Sequence, residues 1–463
     1  MQKLFDEVGN LDRRCYEEFA LSEDILMEHA SSGIATCIRS KFPKNSKVII
    51  VCGGGNNGAD GIACARLLHV DYDVSIFYVK EPKSKMAILQ NKRAHAIGLK
   101  QTIELNECDI LVDALYGTGF SGAFDYEAKA VMQTVNRLNA YKIACDIPSG
   151  LKSNGECDEN IFKADISLTM GALKKSMFSD EAKEYVGEIK VLNLGVSRDI
   201  YEKESNWNLL DLDDIKLPFR DKKNTHKGSY GHLAITCGEK SGASIISGLS
   251  ALRFGSGLVT LIGDDFSNLP HTLMYSQKKP LNATALACGM GLGKKFSDED
   301  FQLFLDNALP LIADADIFYI DALLDILKRE NLVLTPHPKE FVSLLKISKI
   351  ADIDIAQLQN DRFKYCEMFC QSYPHVTLLL KGANVIICKD KEFFINPHGS
   401  SALAKGGSGD VLSGLVGALL AQGYGSLDSA INASLAHTKL VQRYKGADFS
   451  LTPDDLIAEI GNL

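Results

Sequence analysis

The chain has 463 residues, of which 46% are hydrophobic and 24% charged, and its formal net charge at pH 7 is −9. This length predicts two or three domains with sizeable cores, and the acidic balance disfavours a dedicated nucleic-acid binder, which would carry a basic stripe. The N-terminus lacks a signal-peptide core, and no apolar run approaches the roughly 18 residues of a membrane span. Twelve scattered cysteines without a CxxC pair indicate buried thiols in a reducing compartment. The sequence therefore predicts a cytoplasmic protein that binds neither nucleic acid nor membranes.

Apolar, β-rich runs alternate with amphipathic stretches along the first half of the chain, which is typical of parallel strands joined by crossover helices. The first 30 residues are charged and helix-patterned, and further helices are predicted at 84–98 and 126–138. Because the β-rich runs are apolar on both faces, we expect helices to cover both sides of the sheet. The strands are predicted at 47–52, 74–79, 109–115, 142–147, 164–170 and 189–194.

The alternation breaks over residues 199–228, which are polar and charged, although a long surface excursion would give the same break. We place a domain boundary near residue 210, so that residues 1–210 and 211–463 form two doubly wound α/β domains. The second half restarts with a strand at 230–238, a helix rich in small residues and the strand LVTLIG. Later strands are predicted at 283–289, 309–316, 332–337 and 376–382, with a hairpin at 385–396 and two long closing helices from 409 and from 426.

The stretch VCGGGNNGADGIACARLL (51–68) predicts a strand, a glycine-rich turn and a helix, the place where open α/β sheets bind ligands. It matches neither of the two commonest mononucleotide fingerprints, GxGxxG and the P-loop. Two asparagines and Asp60 crowd the turn and offer side-chain oxygens as well as backbone N–H groups. The turn is therefore either a ligand loop or a tight turn capped by its own Asn and Asp side chains.

Two further strand ends carry matching features. LVDALYGTGFSG ends a strand at Asp113 and continues into a glycine-rich loop, and ACDIPSG contains Asp146 and Ser149. Oxygens from Asn57, Asp113 and Ser149 at neighbouring strand ends are suited to surround one hard cation, and the few full charges make a monovalent ion at least as plausible as magnesium. Helix N-capping is the alternative for each aspartate taken alone.

The segments GGGNNGADG, VDALYGTGFSG and DIPSG, preceded by LMEHA (26–30), closely resemble the epimerase half of the bifunctional NAD(P)H-hydrate repair enzymes. The resemblance implies a Rossmann-like domain that interconverts the R and S hydrates of NADH and NADPH and binds potassium through Asn57, Asp113 and Ser149. The family usually has glycine where this chain has Ala59. The substrate contacts that the resemblance implies are Asn56, Asn57, Gly58, Ala59, Asp60, Gly117, Thr118, Gly119, Phe120, Ser121, Gly122, Ala123 and Asp146.

Epimerising a carbinolamine-type carbon requires breaking and remaking its bond to oxygen, or opening the ring. We expect the carboxylate of Asp146 to move the proton in this step. A non-catalytic nucleotide-sensing or protein-interaction module is the alternative for this half, because a fold alone does not decide function. The presence of Asn57, Asp113 and Asp146 together favours an enzyme.

The stretch ALAKGGSGDVLSG (402–414) places a glycine turn directly before Asp410 and an apolar run. A glycine turn that opens a helix offers N–H groups and the positive end of the helix dipole to a phosphate. KGANVI (381–386) follows a strand and contributes the charge of Lys381. A carboxylate in this turn repels phosphate, so we expect Asp410 to be the base that takes the proton from an attacking hydroxyl group. The arrangement resembles that of ribokinase-like kinases, and helix N-capping by the aspartate is the alternative.

Five further segments of the second half, taken together and in this order, closely resemble the dehydratase half of the same repair family. They are HKGSYG, SGASIISGLSALRFGSGLV, CGMGLG, DAD and LTPHPKEF. The resemblance implies a ribokinase-like domain for this half. Over both halves together, the resemblance to the repair family spans roughly residues 10–195 and 226–460. Relatives commonly carry Ser at Lys405 and Thr or Met at Ser408. The implied hydrate site is Ala243, Gly291, His337 and Asp410, although a turn or core histidine is the alternative for His337. The implied nucleotide site is Lys381, Gly382, Ala383, Asn384, Val385 and Gly409.

The resemblance also implies the reaction of the second half. With magnesium present, Asp410 deprotonates the hydroxyl group of the S hydrate, which attacks the terminal phosphate of ADP or ATP. The ring nitrogen then expels phosphate, and proton loss restores the dihydropyridine. A small-molecule kinase of the ribokinase-like class is the main alternative, and it would release a stable phosphorylated product. We also expect a homo-oligomer, since enzymes of this size are often symmetric assemblies.

Overall fold

The computed structural model describes residues 1–264, 269–293, 304 and 309–463. The chain divides into two compact units between Trp207 and Asn208, and Met1–Gln2 belong with the second unit. The stretch 199–228 is not featureless, because it contains a short helix, Arg198–Tyr201, and a strand, Trp207–Leu209, that spans the division. None of the helices in these described ranges is long and apolar enough to cross a membrane.

The first unit is built on a seven-stranded, fully parallel sheet. Lys47–Cys52 is the first of these strands in the chain, and later strands add to both of its sides, so the sheet is doubly wound as predicted. The six predicted strands are confirmed to within two residues at each end, and Lys100–Gln101 is an additional edge strand. The strands in chain order are Lys47–Cys52, Asp73–Tyr78, Lys100–Gln101, Ile110–Ala114, Tyr141–Cys145, Ile166–Met170 and Glu188–Leu192.

Helices cover both faces of this sheet, as the two-sided apolar pattern predicts. Ile50 and Val112 belong to one buried cluster, and their chain neighbours Ile49 and Leu111 belong to another on the opposite face. Serine and aspartate side chains cap the N-termini of three of the helices by accepting a backbone N–H bond. The helices of this unit are Gly9–Glu18, Glu23–Lys41, Asn56–Leu68, Lys85–Ala96, Tyr126–Arg137 and Arg198–Tyr201.

The helical pattern expected from the first residue is wrong for Gln2–Phe5, which forms a β-strand. Leu4 and Phe5 pair in parallel with Leu173 and Lys174 of a second short strand. The partner lies about 170 positions along the chain, and a four-residue strand has too few positions for an alternating pattern to appear. This pairing fixes the backbone around Lys174.

The second unit contains a mixed sheet in which seven parallel strands are followed by an antiparallel hairpin. The predicted strands and the hairpin are confirmed, and Met274–Ser276 is an edge strand that the sequence analysis did not identify. The doubly wound α/β class is thus confirmed for both units. The strands in chain order are His232–Thr236, Leu258–Ile262, Met274–Ser276, Ala285–Cys288, Leu311–Ala313, Leu332–Leu334, Thr377–Leu380, Val385–Lys389 and Glu392–Asn396.

The helix Ser408–Ala421 is the buried centre of this unit, with all residues from Val411 to Ala421 excluded from solvent. It packs closely on the helix Ser241–Arg253, because a methyl group at Gly414 would lie only 2.3 Å from the carbonyl oxygen of Ser247. Its partner helix also donates a 2.8 Å side-chain hydrogen bond to the carbonyl oxygen of Asp410. The described helices of the unit are Ser241–Arg253, Leu323–Ile326, Pro338–Ile347, Ile355–Asn360, Arg362–Ser372, Ser408–Ala421, Ser426–Arg443 and Pro453–Glu459.

Candidate active sites

Asp113 and Ser149 meet at the carboxyl ends of two neighbouring strands in the first unit. Ser149 donates to Asp113 through its hydroxyl group at 2.7 Å and through its backbone N–H at 2.8 Å. The carboxylate is fully buried, and no cationic side chain among residues 3–207 pairs with it. Burial raises the pKa of Asp113 to about 6, although the hydrogen bonds from Ser149 and Leu115 oppose that shift. The site therefore holds a carboxylate that lacks a counter-charge from the protein.

Gly117 brings Asn57 and Asp146 together. A methyl group at Gly117 would lie 3.5 Å from Cγ of Asn57 and 3.5 Å from Oδ2 of Asp146, so all three predicted residues line one place. The Nδ2 atom of Asn57 is buried without a hydrogen-bond partner among the described residues. The amide of Asn57 therefore has a buried donor that a ligand at this place can satisfy.

Asp146 is held by Lys174, which the sequence analysis did not single out. Nζ of Lys174 lies 2.5 Å from Oδ1 of Asp146 and also donates to Oγ1 of Thr169 at 2.9 Å and to the carbonyl oxygen of Met170 at 2.7 Å. The lysine is fully buried. Asp146 itself has a backbone φ of +71°, a left-handed conformation that is uncommon for a residue other than glycine.

Other carboxyl groups surround this ion pair. Burial raises the pKa of Asp60 well above its usual range, and the charges of Asp146 and Asp12 raise it further. Burial also raises the pKa of Asp12, whose carboxylate accepts a 2.7 Å hydrogen bond from Tyr201. Asp60 and Asp12 therefore retain their protons to higher pH than exposed carboxyl groups do.

The other predicted substrate contacts of this unit lie around the same loops. Nδ2 of Asn56 donates to Glu23 at the exposed start of its helix. The loop from Thr118 to Ala123 is largely exposed, but the ring of Phe120 is buried 4.9 Å from that of Phe124. Phe120 therefore anchors the loop through its side chain.

Asp410 lies in the first turn of Ser408–Ala421, directly after a glycine turn in which Gly407 has a φ of +89°. A methyl group at Gly409 would lie 3.5 Å from Nζ of Lys381 and 4.0 Å from Oδ2 of Asp314. Burial and, to a lesser extent, the charge of Asp314 raise the pKa of Asp410 to about 6, although Lys381 opposes the shift. The turn thus combines the start of a helix, a lysine and a carboxyl group with a pKa of about 6.

Lys381 forms the central ion pair of the second unit. Its Nζ lies 2.9 Å from Oδ1 of Asp314 and 3.8 Å from Oε2 of Glu340. Burial alone would lower the pKa of Lys381, but the two carboxylates outweigh burial and raise it. The DAD and LTPHPKEF segments that contain Asp314 and Glu340 were part of the resemblance, but neither residue was assigned a role from the sequence.

His337 caps the helix Pro338–Ile347. Its Nδ1 atom accepts the backbone N–H of Glu340, and the Glu340 carboxylate accepts the backbone N–H of His337 at 2.7 Å. Burial and the charge of Lys381 lower the pKa of His337, so it is neutral at pH 7. Burial raises the pKa of Glu340 to about 7. His337 is thus held in a fixed orientation beside Lys381.

Ala243 and Gly291 lie against each other, since a methyl group at Gly291 would be 3.2 Å from Cβ of Ala243.

Arg362 orders the loop after Leu380 by donating to the carbonyl oxygens of Lys381 at 3.0 Å and Asn384 at 3.2 Å. Gly382 and Ala383 are exposed at the tip of that loop. The sequence offered no signal for Arg362, because a single arginine near a helix start resembles a surface residue.

Comparisons with known proteins agree with this two-unit arrangement. A family described as NAD(P)H-hydrate dehydratase matches residues 233–462, and one described as YjeF-related protein N-terminus matches residues 23–176. The "Bifunctional NAD(P)H-hydrate repair enzyme Nnr" of Helicobacter pylori is 44% identical to this chain over 474 aligned positions, which cover 100% of both proteins. The chain belongs to the bifunctional NAD(P)H-hydrate repair enzymes.

Two further matches are less similar to this chain. The enzyme of the same name from Dictyoglomus turgidum is 30% identical over 98% of this chain and 96% of its own. The crystal structure of the ADP/ATP-dependent NAD(P)H-hydrate dehydratase from Bacillus subtilis, co-crystallized with ATP/Mg²⁺, is 25% identical with a TM-score of 0.45 and covers 53% of this chain and 92% of that one.

The three positions at which this repair enzyme departs from the expected family pattern have structural explanations. Ala59 lies inside the helix Asn56–Leu68, where its methyl group packs with Met27 and Met86 and a glycine conformation is not needed. Lys405 donates to the carbonyl oxygen of Phe449 at 2.7 Å. The hydroxyl group of Ser408 lies 3.2 Å from Nε2 of His437, a buried histidine whose pKa burial lowers to about 4.

Replacing Lys381 tests the central ion pair of the second unit. Lys381→Met leaves two buried carboxylates without a counter-charge, so we expect the free energy of unfolding at pH 8 to fall by about 3 kcal/mol in urea titrations. At pH 5 the loss is smaller, because Glu340, with a pKa of about 7, is then protonated. Lys405→Met is the matched control, and its exposed side chain changes stability by at most about 0.5 kcal/mol. Equal losses at the two pH values would contradict this electrostatic explanation.

Proposed function

We propose that this chain repairs hydrated NADH and NADPH with one active site in each unit. Residues 1–210 form the epimerase domain, which interconverts the R and S hydrates, and residues 211–463 form the dehydratase domain, which acts on the S hydrate. Family membership supports both activities. The observation that carries the dehydratase assignment is the Asp410 carboxyl group, with a pKa of about 6, at the glycine turn beside Lys381.

In the dehydratase domain, Asp410 takes the proton from the hydroxyl group of the S hydrate as that oxygen attacks the terminal phosphorus of ADP or ATP. The nucleotide leaves as AMP or ADP. The lone pair of the ring nitrogen then expels inorganic phosphate, a better leaving group than hydroxide, and loss of a ring proton restores the dihydropyridine. Lys381 and the N–H groups of the 406–409 turn stabilise the negative charge that builds up on the phosphate oxygens.

Magnesium fits the donor set around Asp314 and Asp410. No cluster of three or more histidine, cysteine or acidic side chains in the described ranges forms a metal centre. Magnesium is commonly held through one or two carboxylates together with the phosphates of a nucleotide and water. Bound in that way, the ion would neutralise phosphate charge, and Ala243, Gly291 and His337 would hold the hydrate against Asp410.

In the epimerase domain, Asp146 moves the proton to and from the hydroxyl oxygen while the carbon–oxygen bond is remade or the ring opens and closes. Asn57, Asp113 and Ser149 would hold potassium, because a carboxamide, a hydroxyl group and one full charge suit a monovalent cation. The buried carboxyl group of Asp113, which has no cationic partner among residues 3–207, fits such an ion. The ion would supply the positive charge that the protein lacks there.

The predicted cytoplasmic location, the homo-oligomeric state and the absence of nucleic-acid and membrane partners stay predictions. They concern properties of the chain in the cell, and the two active sites described above do not depend on them.

The role of Asp410 predicts a pH dependence of dehydration. A base with a pKa of about 6 is ionised above that pH, so the rate of S-hydrate dehydration falls about tenfold per pH unit below it. Asp410→Asn lowers kcat by about 10²- to 10⁴-fold, as followed by the dihydronicotinamide absorbance. Epimerisation by the same variant, measured without nucleotide, is the control and stays at the wild-type rate. Release of a stable phosphorylated product would instead favour a kinase.

Potassium binding predicts a specific stabilisation of the protein. At equal ionic strength, potassium chloride raises the Tm relative to tetramethylammonium chloride by about 2–4 °C, because an ion that binds only the folded state stabilises it. Asp113→Asn removes the difference, since the buried charge that attracts the ion is gone. A potassium effect that persists in this variant would exclude Asp113 as a ligand.

A further inference from the structure

Lys174 has an environment unlike that of an ordinary lysine. It follows directly on the buried residue Leu173, and both belong to the two-residue strand that pairs with Leu4 and Phe5. Its side chain has no exposure to solvent, and all three of its N–H donors are used, by Asp146, Thr169 and the carbonyl oxygen of Met170. A lysine committed in this way has no donor left for a ligand.

The two carboxylate oxygens of Asp146 have different hydrogen-bond environments. Oδ1 accepts from Lys174 at 2.5 Å, from the backbone N–H of Met170 at 3.0 Å and from the hydroxyl group of Thr169 at 3.2 Å. Oδ2 accepts no hydrogen bond from residues 3–207, and it is the oxygen that lies toward Gly117. One oxygen is therefore saturated by the protein and the other is presented to the glycine loop.

We infer that Lys174 is the positioning residue of the epimerase reaction, because it holds Oδ1 of Asp146 and leaves Oδ2 turned toward Gly117 and the substrate. The inference rests on the proposed epimerase function and assigns a role within it. In the reaction Oδ2 takes the proton from the substrate hydroxyl group as the ring carbon–nitrogen bond breaks and a carbonyl group forms, and it returns the proton to that oxygen when the nitrogen closes the ring on the opposite face. Lys174 neither gives nor takes a proton during this exchange.

The surrounding charges make the lysine necessary. The titratable groups that interact with Asp146 are Asp12, Asp60, Tyr201 and Cys145, and each of them is neutral when protonated and negative when deprotonated. Without Lys174, a carboxylate in this acidic, buried setting takes up a proton more readily. A protonated Asp146 cannot accept the substrate proton.

The test uses Lys174→Met in the full chain, with Thr169→Val as the matched control that removes a neutral partner of the same carboxylate. Exchange between the R and S hydrates is followed by chromatography without nucleotide, after subtraction of the spontaneous rate. We expect kcat at pH 7 to fall at least about 100-fold for Lys174→Met. The acidic limb, the low-pH side of the kcat–pH profile on which kcat falls, moves to higher pH because a positive charge has been removed. Thr169→Val lowers kcat by less than about tenfold and leaves the limb in place.

Dehydration of the S hydrate by the same variants reports whether the chain is folded and stays within about twofold of the wild-type rate. If Lys174→Met does not fold, Lys174→Gln and Lys174→Arg are compared in its place. Only Lys174→Arg, which keeps the positive charge, is expected to return the acidic side of the pH profile to its wild-type position. A Lys174→Met variant with an unmoved limb, or equal profiles for the glutamine and arginine variants, would overturn the inference. A wild-type chain that does not exchange the hydrates would instead refute the epimerase function itself.

Discussion

A carboxylate that is removed from water needs a counter-charge, and in each unit a lysine supplies it, fully buried in the first unit and partly exposed in the second. Lys174 pairs with Asp146, and Lys381 pairs with Asp314, at nitrogen–oxygen distances of 2.5 Å and 2.9 Å. In each unit the pair also interacts with a second carboxyl group, Asp60 in the first unit and Asp410 in the second. Burial raises the pKa of both. The proton chemistry of each unit depends on this division between a paired carboxylate and one that holds its proton to higher pH.

The parallel sheets place these groups, because neighbouring strands deliver their last residues to the same edge. The glycines that follow the strands are then a packing requirement. A methyl group at Gly58 would lie 1.9 Å from the carbonyl oxygen of Gly53, and one at Gly289 would lie 1.7 Å from that of Asp314. Glycine lets the loops approach closely enough for side chains from different strands to share one site.

Much of this architecture could be predicted from the sequence. Apolar runs bounded by glycine identify the parallel strands, and polar residues at their ends identify Asp113, Asp146 and Ser149 as neighbours. What the sequence did not reveal are the buried cations. Lys174 belongs to a KK pair that looks like a solvated surface, and Arg362 stands alone, so only the three-dimensional structure shows that each donates to a functional loop.

The central claim is that one chain carries two separate activities, and a mixture of R and S hydrates of NADH tests it most directly. The protein is mixed with these hydrates, potassium, magnesium and ADP or ATP, and the return of dihydronicotinamide absorbance is followed. We expect complete recovery for the wild type, recovery of only the S fraction above the spontaneous background for Asp146→Ala, and none for Asp410→Ala. A wild-type chain that restores no absorbance with either nucleotide would contradict the account.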